Sequence, residues 1–115
     1  MTFCAQINLG LENIYILGAY CVGGLVAFNC GTVSMCYTHG EVFGFWDTGG
    51  LIGLNRGGSI SECYSLADVL GDSLYIGGLL GRNDNGVINK CHAQGLVTGL
   101  TQHCGGLVGN NGDLF

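Results

Sequence analysis

The stretch GGLIGLNRGGSISECYSLADVLGDSLYI, residues 49–76, is repeated in outline by GGLLGRNDNGVINKCHAQGLVTGLTQHC at residues 77–104. An earlier copy, GGLVAFNCGTVSMCYTHGEVFGFWDT, occupies residues 23–48, and a truncated copy, GGLVGNNGDLF, occupies residues 105–115. The Gly-Gly-Leu openings are therefore 26, 28 and 28 residues apart. A fixed period of ~20 to 50 residues is typical of solenoids, whose stacked units bury a core that no single unit could bury alone.

One column of the repeat is asparagine, six residues after the first glycine of each copy. It stands in a glycine-rich corner, where a left-handed backbone is easily tolerated, so we interpret these residues as turn residues. Stacked coil on coil, their amides are also expected to form a hydrogen-bonded ladder along the axis. The four residues are Asn29, Asn55, Asn83 and Asn111.

A second column is cysteine, at Cys36, Cys63 and Cys91. From this cysteine the chain alternates with period two through small residues to a valine, which predicts a strand with cysteine and valine on its inner face. The valines are Val42, Val69 and Val97.

The expected fold is an all-β solenoid, a right-handed parallel β-helix of about four coils of 26–28 residues. No stretch has a capped helical pattern, and the absence of proline leaves every ladder donor in place. We predict two or three strands per coil: one on the Gly-Gly-Leu segment, one before the cysteine and one leading to the valine. Residues 1–115 form one domain, with repeats starting near 23, 49, 77 and 105 and a divergent N-terminal part-coil at 1–22.

The pattern GGLVGxN, then isoleucine or valine, then CY and GxVxG resembles the GLUG repeat over residues 23–109. That family occurs in arrays on bacterial surface and secreted proteins, including adhesins and non-catalytic parts of some peptidases. The resemblance implies a β-solenoid that serves as a stalk or a binding surface, with no catalytic residues to carry over.

Composition excludes some functions. Three Lys and Arg residues against eight carboxylates give a net charge of −5, so nucleic-acid binding through a basic patch is not expected. Only 10% of the residues are charged and 48% are hydrophobic. Exposed charge normally keeps soluble repeat proteins apart, so this composition suggests that much of the protein surface is covered by another molecule. The apolar run from Ile14 to Phe28 is shorter than the ~20 residues that span a bilayer and contains the first Gly-Gly-Leu, so membrane insertion is not expected. We also expect no cleavable signal peptide, because Met1 is not followed by a basic n-region.

The side chains with reactive chemistry form no expected site. Because the chain has seven cysteines, at least one cannot form an intramolecular disulfide. We expect the column of Cys36, Cys63 and Cys91 to be a row of buried thiols. The candidates for oxidation are Cys21, Cys30 and Cys104. Histidines near the cysteine column point to the opposite strand face, and the carboxylates fall at different phases of the repeat. We expect no enzyme, no metal and no cofactor.

The residue after each leucine of Gly-Gly-Leu is also apolar, which leaves two alternatives. Either this residue faces outward and forms a stripe for lateral packing, or a bend turns both neighbours inward. The stripe would consist of Val26, Ile52, Leu80 and Val108, and a separate row of Tyr37, Tyr64 and His92 would follow the cysteines.

The leading functional hypothesis is a subunit of an extracellular or cell-surface filament, polymerised head to tail with itself. If Met1 of a second molecule followed Phe115 directly, its Cys4 would fall 10 + 4 = 14 residues after Gly105, the offset of Cys63 from Gly49. The alternatives are an adhesin-type binding module and a fragment of a longer surface array, in which the match is chance. An ice-binding solenoid is disfavoured because the threonines form no regular lattice.

Overall fold

The computed structural model describes residues 9–72, 74–99 and 104–112, together with the backbone of residues 2–3 and 6–7. Every regular element in this part of the chain is a β-strand, and the strands pair in parallel from coil to coil. The predicted all-β solenoid of about four coils is confirmed.

The chain passes through the same succession of faces in each coil. The first coil contains β1 (Thr2–Phe3), β2 (Gln6–Ile7), β3 (Gly10–Leu17) and β4 (Tyr20–Gly23). The second contains β5 (Val26–Asn29), β6 (Thr32–Ser34), β7 (Tyr37–Gly44) and β8 (Trp46–Gly49). The third contains β9 (Ile52–Arg56), β10 (Ser59–Ser61), β11 (Tyr64–Ser65), β12 (Asp68–Gly71) and β13 (Ile76–Gly77). The fourth contains β14 (Leu80–Asp84), β15 (Val87–Asn89), β16 (His92–Ala93), β17 (Val97–Gly99) and β18 (Cys104–Gly105), after which β19 (Val108–Asn111) begins another turn.

Four parallel sheets result. Sheet A runs β1-β5-β9-β14-β19, and sheet B runs β2-β6-β10-β15. Sheet C starts with β3 beside β7 and continues through β11 and β12 to β16 and β17, and sheet D runs β4-β8-β13-β18. The pairing follows the sequence period, since Asn29 lies opposite Asn55, Asn55 opposite Asn83 and Asn83 opposite Asn111.

The prediction of two or three strands per coil was wrong, because each coil has four faces. Sheet D was missed. Its strands end at the first glycine of each Gly-Gly pair and are two to four residues long. Apart from that glycine the residues in register differ, as Thr48, Ile76 and Cys104 show. Such short segments have too few residues to display the alternation that identifies a strand.

The interior contains a leucine row and a valine row. Leu25, Leu51 and Leu79 are buried, as are Val42 and Val69. The residues that follow the leucines are also inside: Val26, Ile52 and Leu80 are fully buried and Val108 is half-buried, so they cannot provide lateral packing. A bend explains this, since the N–H groups of both Leu51 and Ile52 donate to the carbonyl of Leu79.

The Gly-Gly pair is required by close approach at that bend. A Cβ on Gly49 would collide with the carbonyl oxygen of Ile52, and a Cβ on Gly50 would meet both the Ser65 hydroxyl and the carbonyl oxygen of Gly78 in the next coil. Only glycine fits where one backbone crosses another at this distance.

The left-handed corners lie elsewhere than predicted. The asparagine column has strand geometry, whereas the residue before each column cysteine has a positive φ: 52° at Met35, 53° at Glu62 and 56° at Lys90. Methionine, glutamate and lysine occupy this corner, so no glycine or asparagine marked it in the sequence.

The apolar run from Ile14 to Phe28 forms parts of β3 and β5 and the whole of β4. Within the described residues, no helix has the length and apolar character needed to cross a membrane.

Candidate functional site

A continuous asparagine ladder runs along the axis at the end of sheet A. The amide Nδ2 of Asn29 donates to Asn55 Oδ1 at 2.8 Å, Asn55 donates to Asn83 at 2.9 Å, and Asn83 donates to Asn111 at 2.8 Å. Each of the two middle amides also donates to a backbone carbonyl, Asn55 to Gly58 at 3.1 Å and Asn83 to Gly86 at 3.0 Å. Asn29 and Asn55 are fully buried, so these bonds satisfy groups that water cannot reach.

The cysteine column lies in the core beside sheet C. Cys36 and Cys63 are buried, whereas Cys91 in the fourth coil is half-buried. The Cys63 thiol donates to the carbonyl of Ser61 at 3.1 Å, and the Cys91 thiol donates to that of Asn89 at 3.3 Å. The interaction between the two thiols, followed by burial, raises the pKa of Cys63, and the same interaction lowers the pKa of Cys91. Cys4, the predicted first member of the column, lies outside the described residues.

This gradient of burial changes the expected labelling of the cysteines. In the native monomer, Cys91 should react with iodoacetamide at least about tenfold faster than Cys63, because it is more accessible and has more thiolate character. Peptide mapping by mass spectrometry after short alkylation measures the ratio, and labelling in urea provides the fully exposed reference. Equal native rates at the two positions would contradict the ordered column.

The remaining cysteines differ from one another. Cys30 is disulfide-bonded. The Cys21 sulfur lies 3.8 Å from Asp47 Oδ2. The pKa of the Cys21 thiol is raised, mainly by burial. The side chain of Cys104 is exposed.

A buried ion pair joins sheets A and D. Arg82 Nη2 lies 3.4 Å from Asp47 Oδ2, and the guanidinium also sits 5.6 Å from the centre of the Tyr75 ring. This ion pair occurs in one coil only, because the residues in register with Arg82 in the neighbouring coils are Leu54 and Asn110. The repeat pattern of the sequence therefore did not predict the ion pair. The only signal was a single arginine at a position where the third coil has an apolar residue.

An aromatic row follows the cysteine column on the outer face of sheet C. The rings of Tyr37 and Tyr64 are parallel with centres 5.1 Å apart, and the Tyr64 and His92 rings stack in the same way at 5.1 Å. Glu12 accepts a hydrogen bond from the Tyr37 hydroxyl, which raises the pKa of that phenol, and lies 3.1 Å from His39 Nδ1. Because the rings stack on one another, the row presents ring edges rather than ring faces to the side.

The cysteine and histidine side chains of the repeat do not form a reactive centre. Cys36 is buried while His39 is exposed on the opposite strand face. In the described ranges, no group of three His, Cys, Asp or Glu side chains is placed to hold a metal ion.

The fourth coil and the turn that follows it expose part of the core. Leu107 continues the leucine row but is 36% exposed, whereas Leu51 and Leu79 are 0% exposed. Ile88, Cys91 and Val108 are likewise only partly buried against the core. The chain ends that were predicted to meet a second molecule, Met1 with Cys4 and Phe115, lie outside the described residues.

Part of the repeat sequence matches a known motif. The family model described as the GLUG motif matches residues 46–70 and 72–98. These two segments are GLUG repeats. The two matched segments run from the start of β8 into β12 and from before β13 into β17, so each spans one coil of the GLUG solenoid. No curated protein and no solved structure matches the chain. The GLUG repeat and the solenoid fold suggest a repeat-containing module of a surface or secreted protein.

Proposed function

We propose that this GLUG protein is a structural subunit that stacks head to tail, solenoid on solenoid, into an extracellular filament. The observation that carries the proposal is the exposure of Leu107 at the end of a row whose other described members are buried. Covering this end with a coil of another molecule would remove apolar surface from water, and each Å² buried would stabilise the contact by roughly 25 cal/mol. The role is structural, and no catalytic activity is part of it.

Both ends of the stack place apolar side chains in the same two inward-facing columns. In the column of Val42 and Val69, the end members are Ile16 in the first coil and Val97 in the fourth, and both are half-buried. In the column of Ser65, the end members are Leu11 and Ala93, also half-buried. One end of the solenoid therefore continues the columns that the other end leaves open.

The strand edges are complementary as well. Among the described strands, β15 to β19 have a partner on one side only at one end of the stack, and β1 to β4 have a partner on one side only at the other. All pairs are parallel, so joining the two ends would extend the ladders of sheets B, C and D without reversing a strand. Sheet A has five described strands against four layers in the other sheets, so β1 or β19 would have to give up its place at the junction. Such a contact uses different surfaces on the two molecules and does not close, which produces filaments rather than rings.

The proposed location outside the cell is supported by the disulfide at Cys30. Disulfides persist mainly in oxidising environments such as the cell surface and the extracellular space. The family's occurrence on surface and secreted proteins agrees with this location.

Electron microscopy tests the proposal. The purified protein at increasing concentration should form unbranched filaments with a subunit repeat of about 19 Å, four coils at the strand spacing of ~4.8 Å. Leu107→Lys places a charge on the stacking face and should abolish filaments, while Leu96→Lys, the same change on the side of the fourth coil, should leave them intact. Circular dichroism of both monomers verifies that they are folded. A wild-type protein that remains monomeric, or a Leu107→Lys variant that polymerises normally, would overturn the proposal.

A second function is favoured by a different observation. Large apolar side chains are exposed on the outer faces of sheets C and D, which a simple stalk does not need. They favour a binding module of the adhesin type, within a longer array or on the side of a filament. They are Tyr15, Leu17, Tyr20, Phe45 and Trp46.

A further inference from the structure

A groove of about 330 Å³ crosses the outer face of sheet C, close to the corner with sheet D. Its floor is apolar: Leu17, Phe43 and Leu70 lie in register on the adjacent strands β3, β7 and β12, and Phe45 forms part of the wall. Leu17 is 73% exposed, so this floor is open to solvent.

Carboxylates lie beyond both ends of the floor: Asp72 lines this groove, and Asp68 and Glu41 line an adjoining depression that shares Phe43 and Leu70 with it. One Asp68 oxygen also accepts the Leu96 N–H at 2.9 Å. Asp68, Leu70 and Asp72 alternate on β12 and the residue after it, so their side chains follow one another at ~7 Å along the strand direction. Glu41 lies directly opposite Asp68 on the neighbouring strand, and the Asp72 N–H donates to the Gly44 carbonyl at 3.0 Å, which holds Asp72 at the edge of the groove. Like charges in register are unfavourable for the sheet itself, so an external cation would relieve a cost at this place.

The chain's own basic groups are engaged or placed elsewhere. Arg56 pairs with Asp84 on sheet A at 3.0 Å, and Arg82 is buried with Asp47. Lys90 stands at the corner between β15 and β16. A second copy of the chain, with a net charge of −5, would therefore bring few cations to the groove.

We infer that this groove binds an extended basic peptide segment of another protein, with the pattern basic, any, apolar, any, basic. In an extended chain the first, third and fifth side chains point to one face with the same ~7 Å spacing as the three groove residues. The apolar side chain would lie on Leu70 and Phe43, and the two basic side chains would meet Asp68 with Glu41 at one end and Asp72 at the other.

A carbohydrate fits the surface less well. The exposed rings beside the groove are not arranged as a flat platform: Tyr20 and Trp46 meet edge to face at 71°, and Tyr15 is tilted by 38° against Phe43. The groove lies on the side of the solenoid and stays accessible whether the coils are single or stacked. The inference therefore goes beyond the filament and can fail or succeed independently of it.

Fluorescence anisotropy with a labelled peptide, Lys-Thr-Leu-Thr-Lys with blocked ends, tests the inference on the full chain. We expect saturable binding that weakens as salt is raised, and none for the Glu-Thr-Leu-Thr-Glu and Lys-Thr-Ser-Thr-Lys peptides. The double variant Glu41→Gln with Asp72→Asn should weaken binding by about tenfold, and Leu70→Ser by at least about tenfold.

Glu62→Gln is the matched control, because it removes an exposed carboxylate at the corner between β10 and β11 and should leave affinity unchanged. Circular dichroism verifies that each variant is folded. Equal binding of the acidic peptide, insensitivity to the Glu41, Asp72 and Leu70 changes, or saturable binding of a neutral oligosaccharide in place of the peptide would each overturn the inference.

Discussion

Replacing Asn55 by alanine is expected to lower the free energy of unfolding by about 3 to 5 kcal/mol, one of the largest effects available in this chain. Asn55 is fully buried and accepts a bond from Asn29 Nδ2 while donating to Asn83 Oδ1 and to the Gly58 carbonyl. Alanine removes all three bonds, so Asn83 Oδ1 and one N–H of the Asn29 amide lose these partners, while the Gly58 carbonyl keeps its bond from Val87 N–H. Each such orphaned group costs about 1 to 3 kcal/mol.

Urea denaturation followed by circular dichroism measures this change. Asn89→Ala is the control, since Asn89 is exposed and its backbone carbonyl, which accepts from Glu62 N–H, is retained. We expect the control to change stability by no more than about 0.5 kcal/mol. Asn55→Asp keeps the shape but replaces the donor with a second acceptor, so it should be at least as damaging as alanine. A loss below about 1 kcal/mol for Asn55→Ala would show that the ladder does not hold the coils together.

Replacing Leu51 by alanine is expected to cost about 2 to 5 kcal/mol. Leu51 has no exposed surface and lies between Leu25 and Leu79 in the leucine row, so truncation loses buried contacts and leaves a cavity that neighbouring coils cannot close. The same substitution at Leu107 is the matched control, because that side chain is 36% exposed in the monomer. We expect it to cost about 1 kcal/mol.

The comparison between the two leucines is made on the monomer, below the concentration at which any filament forms. Equal losses at Leu51 and Leu107 would contradict the exposure gradient on which the stacking proposal depends. In assembled material the Leu107→Ala loss should rise towards the Leu51→Ala value, because a second copy would then cover the row.

The parts of the fold that were predictable from sequence are those set by the period. A repeat of 26 to 28 residues placed equivalent side chains on top of one another, so the register of the asparagine and cysteine columns followed from counting residues. Alternation after each cysteine identified the inner face of sheet C, since side chains on a strand point to opposite sides in turn.

The parts that were not predictable depend on backbone geometry or on unrepeated contacts. The bend after Gly-Gly turns both Leu51 and Ile52 inward, and alternation alone could not distinguish this from an outward stripe. The positive φ at Met35 and Glu62 is imposed by the corner rather than by residue type. The Arg82 and Asp47 pair occurs once, so no column revealed it.

Hydrogen exchange of the asparagine side-chain amides tests the stacked-coil architecture most directly. On ¹⁵N-labelled monomer, the Nδ2 protons of Asn29, Asn55 and Asn83 should exchange at least about a thousandfold more slowly than those of the exposed Asn85 and Asn89, because their release requires the coils to separate. Exchange of the ladder amides at the rate of the exposed ones would contradict the continuous hydrogen-bonded ladder and, with it, the register of the coils.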